Sequence, residues 1–141
     1  MIGNSLAIAV SGVNAAQTRL AVSADNVANQ QSLAAPNAAA PAPDAGQNEG
    51  GRALFQPVRV IDQPLQGGGV RSATALVDPS AVQRFDPSAA DANADGLVDR
   101  PNVRIEREMV EQIFARAQFN ANLATIRAAD ELLESTLDIL A

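Results

Sequence analysis

The chain has no His, no Cys, no Lys, no Trp and no Tyr among its 141 residues, and all ten of its cationic side chains are Arg. Without His or Cys, the usual ligands for zinc and other transition metals are missing. Without His, Lys, Cys or Tyr, the usual general bases and activated nucleophiles are missing too, which leaves carboxylates and hydroxyls. The expectation is a protein that is not an enzyme and has no metal, no cofactor and no small-molecule substrate. A net charge of -6 opposes attraction to nucleic acid or to an acidic membrane surface, so no nucleic-acid partner is expected. The absence of Cys leaves the redox compartment unassigned.

Long apolar runs are also lacking. The longest early run is Leu6 to Val10 and the first positive side chain is Arg19, so a cleaved secretory signal is not expected. No window approaches the ~20 apolar residues of a membrane-spanning helix. The expectation is a soluble chain that, if exported, uses another route.

Alanine is what the chain has in abundance: 29 residues against four Phe, in a composition that is 47% hydrophobic. Small side chains suit close helix packing better than a thick globular core, and the length fits one domain. Residues 1–32 contain no Pro and carry an apolar series, Leu6, Ala9, Val13, Ala16, Leu20, Ser23 and Val27, whose steps of three and four predict a helix packed along a seam. A second series, Ile8, Ala15 and Val22, lies about 200° away around the same helix. Residues 33–52 are rich in Ala, Pro and Gly and predict an extended linker.

Residues 53–101 predict a small β-rich module. Leu54–Ile61 and Val70–Val77 read as strands around Pro64 and the Gly67-Gly68-Gly69 turn, followed by an Asx-rich loop. From Asn102, read as an N-cap, the chain has neither Gly nor Pro and predicts a long helix over 102–141. That helix has two lines as well: Phe119, Leu123, Ile126, Asp130, Leu133, Leu137 and Leu140, and Val110, Phe114, Ala117, Ala121, Ala124, Ala128 and Leu132. Arg104 with Glu108, Arg107 with Glu111 and Arg127 with Glu131 sit at i,i+4 and read as a solvated face.

Asp91-Ala-Asn93-Ala-Asp95-Gly96 fits the first half of an EF-hand loop, but Asn102 stands where the bidentate Glu belongs and Pro101 precedes it, so a plain Asx-rich turn is expected. No spacing among the sixteen acids singles out a catalytic pair. The double-striped helices are the strongest signal. Two helices offer too few surfaces to bury four stripes within one subunit, so burial between subunits is expected, and head-to-tail contacts would then build a helical polymer. The residues expected at that interface are Leu6, Ile8, Val13, Leu20, Val22 and Val27 near one end of the chain, and Val110, Ile113, Phe114, Phe119, Leu123, Ile126, Leu133, Leu137 and Leu140 near the other.

Ser5 to Asn29, SLAIAVSGVNAAQTRLAVSADNVAN, resembles the N-terminal signature of the bacterial flagellar axial proteins. Phe85 to Val103, FDPSAADANADGLVDRPNV, with Glu108-Met109-Val110 and Phe119-Asn120-Ala121-Asn122, is similar to the proximal rod subunits within that family. The sequence departs from the family pattern at Gln30-Gln31-Ser32-Leu33, and has Leu97 and Phe119 where the family tends to have Tyr. The resemblance implies a mainly α structural protein whose terminal helices pair in coiled-coil fashion as an inner domain around the axial channel. It further implies export unfolded through the flagellar type III apparatus, assembly in the periplasmic part of the basal body, and transmission of torque. Implied partners are further copies and other rod proteins, the rod-to-ring adaptor and the membrane-embedded ring. A different rod or hook-type subunit would share the N-terminal string but lack the Asp91–Val103 string; a small calcium-binding or carboxylate-enzyme domain is the remaining alternative.

Overall fold

The computed structural model describes residues 2–33 and 54–140, with side chains over 3–33 and 54–136. In chain order the elements are α1 (Ile2–Asn29), β1 (Val58–Pro64), β2 (Val70–Leu76), β3 (Ala81–Phe85), β4 (Leu97–Pro101) and α2 (Ile105–Leu140). Apart from Leu33, the segment expected to be a linker, 33–52, lies outside the described residues.

α1 and α2 run side by side and antiparallel, with Gly12 facing Asn122 and Ser23 facing Glu108 and Gln112. At ~1.5 Å per residue they are about 42 and 54 Å long. The contact line is made of small and polar residues. Ala9, Ala16, Ser23 and Asn26 on α1 are buried, as are Ala115 and Ala129 on α2. Gly12 sits in the same line: a Cβ there would lie 2.6 Å from the Asn122 side chain, so only Gly permits this approach. Close packing of two Ala-rich helices is thus achieved through the smallest members of the apolar series, and the large ones fall to its flanks.

The β-residues form two separate antiparallel hairpins, β1–β2 and β3–β4. The first is paired from Val58 opposite Leu76 to Pro64 opposite Val70. Its first strand therefore begins later than the expected Leu54 and continues three residues past Ile61; Pro64 is tolerated because it ends the strand. The turn beyond it holds Gly67, Gly68 and Gly69 all at positive φ, which any side chain would resist. β1 alternates: Val58, Val60 and Asp62 are half-buried while Arg59, Ile61 and Gln63 are exposed. The inner face lies on α1.

The second hairpin, Ala81–Phe85 against Leu97–Pro101, was not expected from the sequence. Its fully buried residue is Val98. The Asp78–Pro79 peptide in the link between the hairpins is cis. Asn102 does not cap α2, contrary to the sequence expectation. Its amide donates to Ser80 O (2.9 Å) and its side chain to Pro79 O (2.9 Å), which extends the β3–β4 ladder, and α2 starts at Ile105 with the Arg104 carbonyl accepting from Glu108 N.

Candidate assembly surface

The polar residues of α1 organise the subunit. Asn26 is buried and joins three elements: its side-chain amide donates to Val58 O (2.8 Å) and to Glu108 Oε1 (3.1 Å), and its Oδ1 accepts from Val58 N (3.2 Å). One amide side chain thereby satisfies both backbone groups of the first β1 residue, which would otherwise be stranded beside a helix. One turn earlier, the Ser23 hydroxyl donates to Glu108 O (3.1 Å) and accepts from Gln112 Nε2 (3.2 Å). Both sites lie in the seam, so Ser23, the weak apolar step of the sequence series, is a hydrogen-bonded junction between the helices.

Arg19 completes the line. Its Nη2 donates to Asp62 Oδ2, and its Nη1 lies 3.5 Å from Glu111 Oε2. Asp62 also accepts from Ser72 Oγ (2.7 Å), its cross-strand partner. Burial raises the Asp62 pKa, but the Ser72 and Arg19 hydrogen bonds and the Arg19 charge outweigh it and leave the carboxyl below its ordinary range. At the hairpin tip, Ser11 Oγ accepts from Val70 N (3.1 Å) and donates to Ile8 O (2.7 Å). Gly68 and Gly69 press on Ile8 and Ser11 so closely that a Cβ on either would come within 2.7 Å.

The sequence predicts Glu108 and Glu111 to be members of solvated i,i+4 pairs. They face α1 instead, accepting from Asn26 and approaching Arg19. An antiparallel neighbour held at Gly12 distance brings opposite charges nearer than the next turn of the same helix does. A mixed-charge cleft of about 710 Å³ opens between α1, β1 and the start of α2, with Arg19, Arg59, Arg104 and Arg107 facing Asp78, Glu108 and Glu111.

The large apolar residues are distributed around this core. On α1, Leu6, Val13, Val22 and Val27 are half-buried, while Ile8 and Leu20 are exposed. On α2, Phe119, Leu123 and Ile126 are half-buried beside the seam, and Val110, Ile113, Phe114 and Leu133 are exposed. The entire second line of α2, from Val110 through Phe114, Ala117, Ala121, Ala124 and Ala128 to Leu132, is exposed, with Val110 at 65% and Leu132 at 58%. Leu137 and Leu140 lie in α2, but their side chains are outside the described ones. Single exposed apolar residues are ordinary; rows of them along a helix mark an interaction surface.

Sequence reasoning missed Gly12, Arg19, Asn26 and Asp62. A mid-helix Gly and an Asn three residues after a Ser, in a helix whose charged side chains are Arg19 and Asp25 alone, are the available signals.

In the Asx-rich loop, Asn93 Oδ1 accepts from Asp95 N (3.0 Å) and Leu97 N (2.9 Å), Asp86 N donates to Gly96 O, and Gly96 adopts φ +73°. The side-chain oxygen that a cation site would use is turned onto the loop's own amides, as in an Asx turn.

Residues 94–139 match the flagellar basal body rod FlgEFG protein C-terminal family. The flagellar basal-body rod protein FlgC of Yersinia enterocolitica is 35% identical over 138 residues, covering 96% of each chain. FlgC of Borreliella burgdorferi is 30% identical over 154 aligned positions, with 97% of this chain and 96% of the relative covered. FlgC of Salmonella typhimurium is 28% identical over 138 residues. With likeness over nearly the full length, including both helices and both hairpins, this chain belongs to the FlgC family of flagellar basal-body rod proteins.

Proposed function

We propose that this chain is a structural subunit of the flagellar basal-body rod, located in the basal body and serving motility by assembly rather than by catalysis. The observation that carries the reading is the division of labour in the helix pair: small and polar residues close the seam, and Val110, Ile113, Phe114, Leu132 and Leu133 are left exposed on its outer surfaces. Burying such rows removes large apolar side chains from water, at about 1.5–3 kcal/mol for each one fully buried. In this reading residues 1–32 and 102–141 form a coiled-coil-like inner domain around the axial channel, residues 53–101 form the small β-rich middle module, and 33–52 link them. The subunits polymerise through the terminal helices and transmit torque, after export through the type III apparatus. Neighbours are further copies and other rod proteins, with the rod-to-ring adaptor and the membrane-embedded ring at the base.

The test is deletion of the gene and complementation with the wild-type chain or with Val110→Asp/Phe114→Asp, followed by electron microscopy of basal bodies and a swimming assay. The deletion should lack complete rods, wild type should restore them, and the double variant should be exported yet fail to build them, because a charge buried without a partner costs several kcal/mol. Circular dichroism of the purified double variant should match wild type, since both positions are exposed in the subunit. Normal rods in the deletion strain would refute the assignment.

A further inference from the structure

An apolar groove of about 670 Å³ runs between α1 and α2, and no residue of either hairpin lines it. Its floor is Ala16 and Ala115, and Leu20, Met109 and Ile113 form its rim. Among the described residues, Arg116 is the one charged side chain along it. The rim is open, with Met109 56% and Ile113 69% exposed.

At the other end of α2 the surface is of a complementary kind. Residues 130–136 are all exposed, a run that joins Leu132 and Leu133 to Asp130, Glu131 and Glu134 with no cation among them. The cause is register. Each step along α1 is matched by a step back along α2, since Gly12 faces Asn122 and Ser23 faces Gln112, and this brings Ile2 level with the Leu132–Leu133 turn. The last turns of α2 run past α1.

Ile113 and Leu133 are twenty residues apart on one continuous helix, about 30 Å at 1.5 Å per residue, so the two surfaces cannot meet within one subunit. Copies of a chain with net charge -6 repel one another, and an orientation that sets an acidic end against a groove whose charged lining residue is Arg116 offsets that repulsion locally.

Resting on the rod-subunit reading, we propose that the Leu132–Leu133 turn of one copy seats in the Ala16/Ala115 groove of a second copy, with Glu131 and Glu134 toward Arg116. The two patches are different surfaces, so the contact does not close on itself about a two-fold axis; it leaves a free groove at one end and a free leucine turn at the other.

The chain has no Cys, so introduced thiols report without background. The gene is replaced in motile cells by full-length Ile113→Cys, by Leu133→Cys, or by the double variant, and cells are oxidised and analysed on non-reducing gels. The double variant should give crosslinked multiples of the chain, and each single variant should remain monomeric. Adding Arg116→Glu to the double variant should lower the crosslinked fraction about tenfold, and adding Glu134→Arg as well should restore most of it. Met109→Cys with Leu132→Cys serves as a second pair should the first fail to support swimming. A dimer formed by a single-Cys variant alone would mean that a patch meets itself, which overturns the head-to-tail contact. Normal rods and swimming with no crosslink from either pair would overturn this contact and leave the rod reading standing, whereas normal rods in the deletion strain would overturn that reading itself.

Discussion

The two hairpins of this subunit are attached in opposite ways. β1–β2 lies on α1 and is fastened at three levels by polar groups: Asn26 on Val58, Arg19 on Asp62, and Ser11 on Val70. β3–β4 makes little contact with either helix and is organised from within, by the fully buried Val98, by Asn93 closing its loop, and by Arg100 Nη2 3.7 Å from Asp86. A helix whose inner face is Ala, Gly and Ser has little apolar area to offer a sheet. Hydrogen bonds therefore anchor the hairpin that must dock, and a local core serves the one that need not.

The strongest way to break this contrast is Asn26→Ala. It strands the N–H and C=O of Val58 against α1, and unsatisfied buried groups cost about 1–3 kcal/mol each, so a loss of about 3 kcal/mol is expected in urea unfolding. Hydrogen exchange should accelerate in β1–β2 and along the seam, with β3–β4 protection retained. The converse is Val98→Ala, expected to cost about 2 kcal/mol from lost transfer energy and residual cavity, and to loosen β3–β4 while β1–β2 stays protected. Equal loosening of both hairpins by either variant would mean that they are one cooperative unit.

Asp62→Asn is a milder probe. The pair it weakens is partly solvated, with side-chain exposures of 19% and 22%, so about 1 kcal/mol is expected. It carries a pH signature. Because the folded carboxyl titrates below its ordinary value, its contribution is fully present above the unfolded-state pKa and is lost as pH falls through the folded one. Wild type should therefore lose β1–β2 protection below about pH 4 more steeply than Asp62→Asn does. Identical acid profiles would show that Asp62 does not hold the hairpin. The smallest effect is expected for Arg127→Gln, exposed on α2 away from both hairpins, within about 0.5 kcal/mol of wild type.

The helices were legible because their signals are local: no Pro over 1–32, and neither Gly nor Pro after Pro101. The first hairpin was legible from Val58, Val60 and the triple Gly. The second was not, since Ala81–Phe85 and Leu97–Pro101 do not alternate cleanly and stand far apart in sequence; the loop between them is closed by the Asn93 side chain, which accepts from backbone amides as a carbonyl would. The seam was legible in its spacing but not in its chemistry. Periodicity weights large side chains, whereas two helices at Gly12 distance meet through Ala9, Ala16 and Ser23 and turn Leu20 outward.

Asn26 and Gly12 have a mechanical consequence. An all-leucine seam is nearly indifferent to sliding by a turn, because each leucine meets another like the one it left. Here a slip of about 5.4 Å, one helical turn, would carry Asn26 away from Val58 and Glu108 and draw residues with a Cβ into the place of Gly12. The two helices are indexed to each other like meshed racks, so a load applied along one is passed to the other without slip.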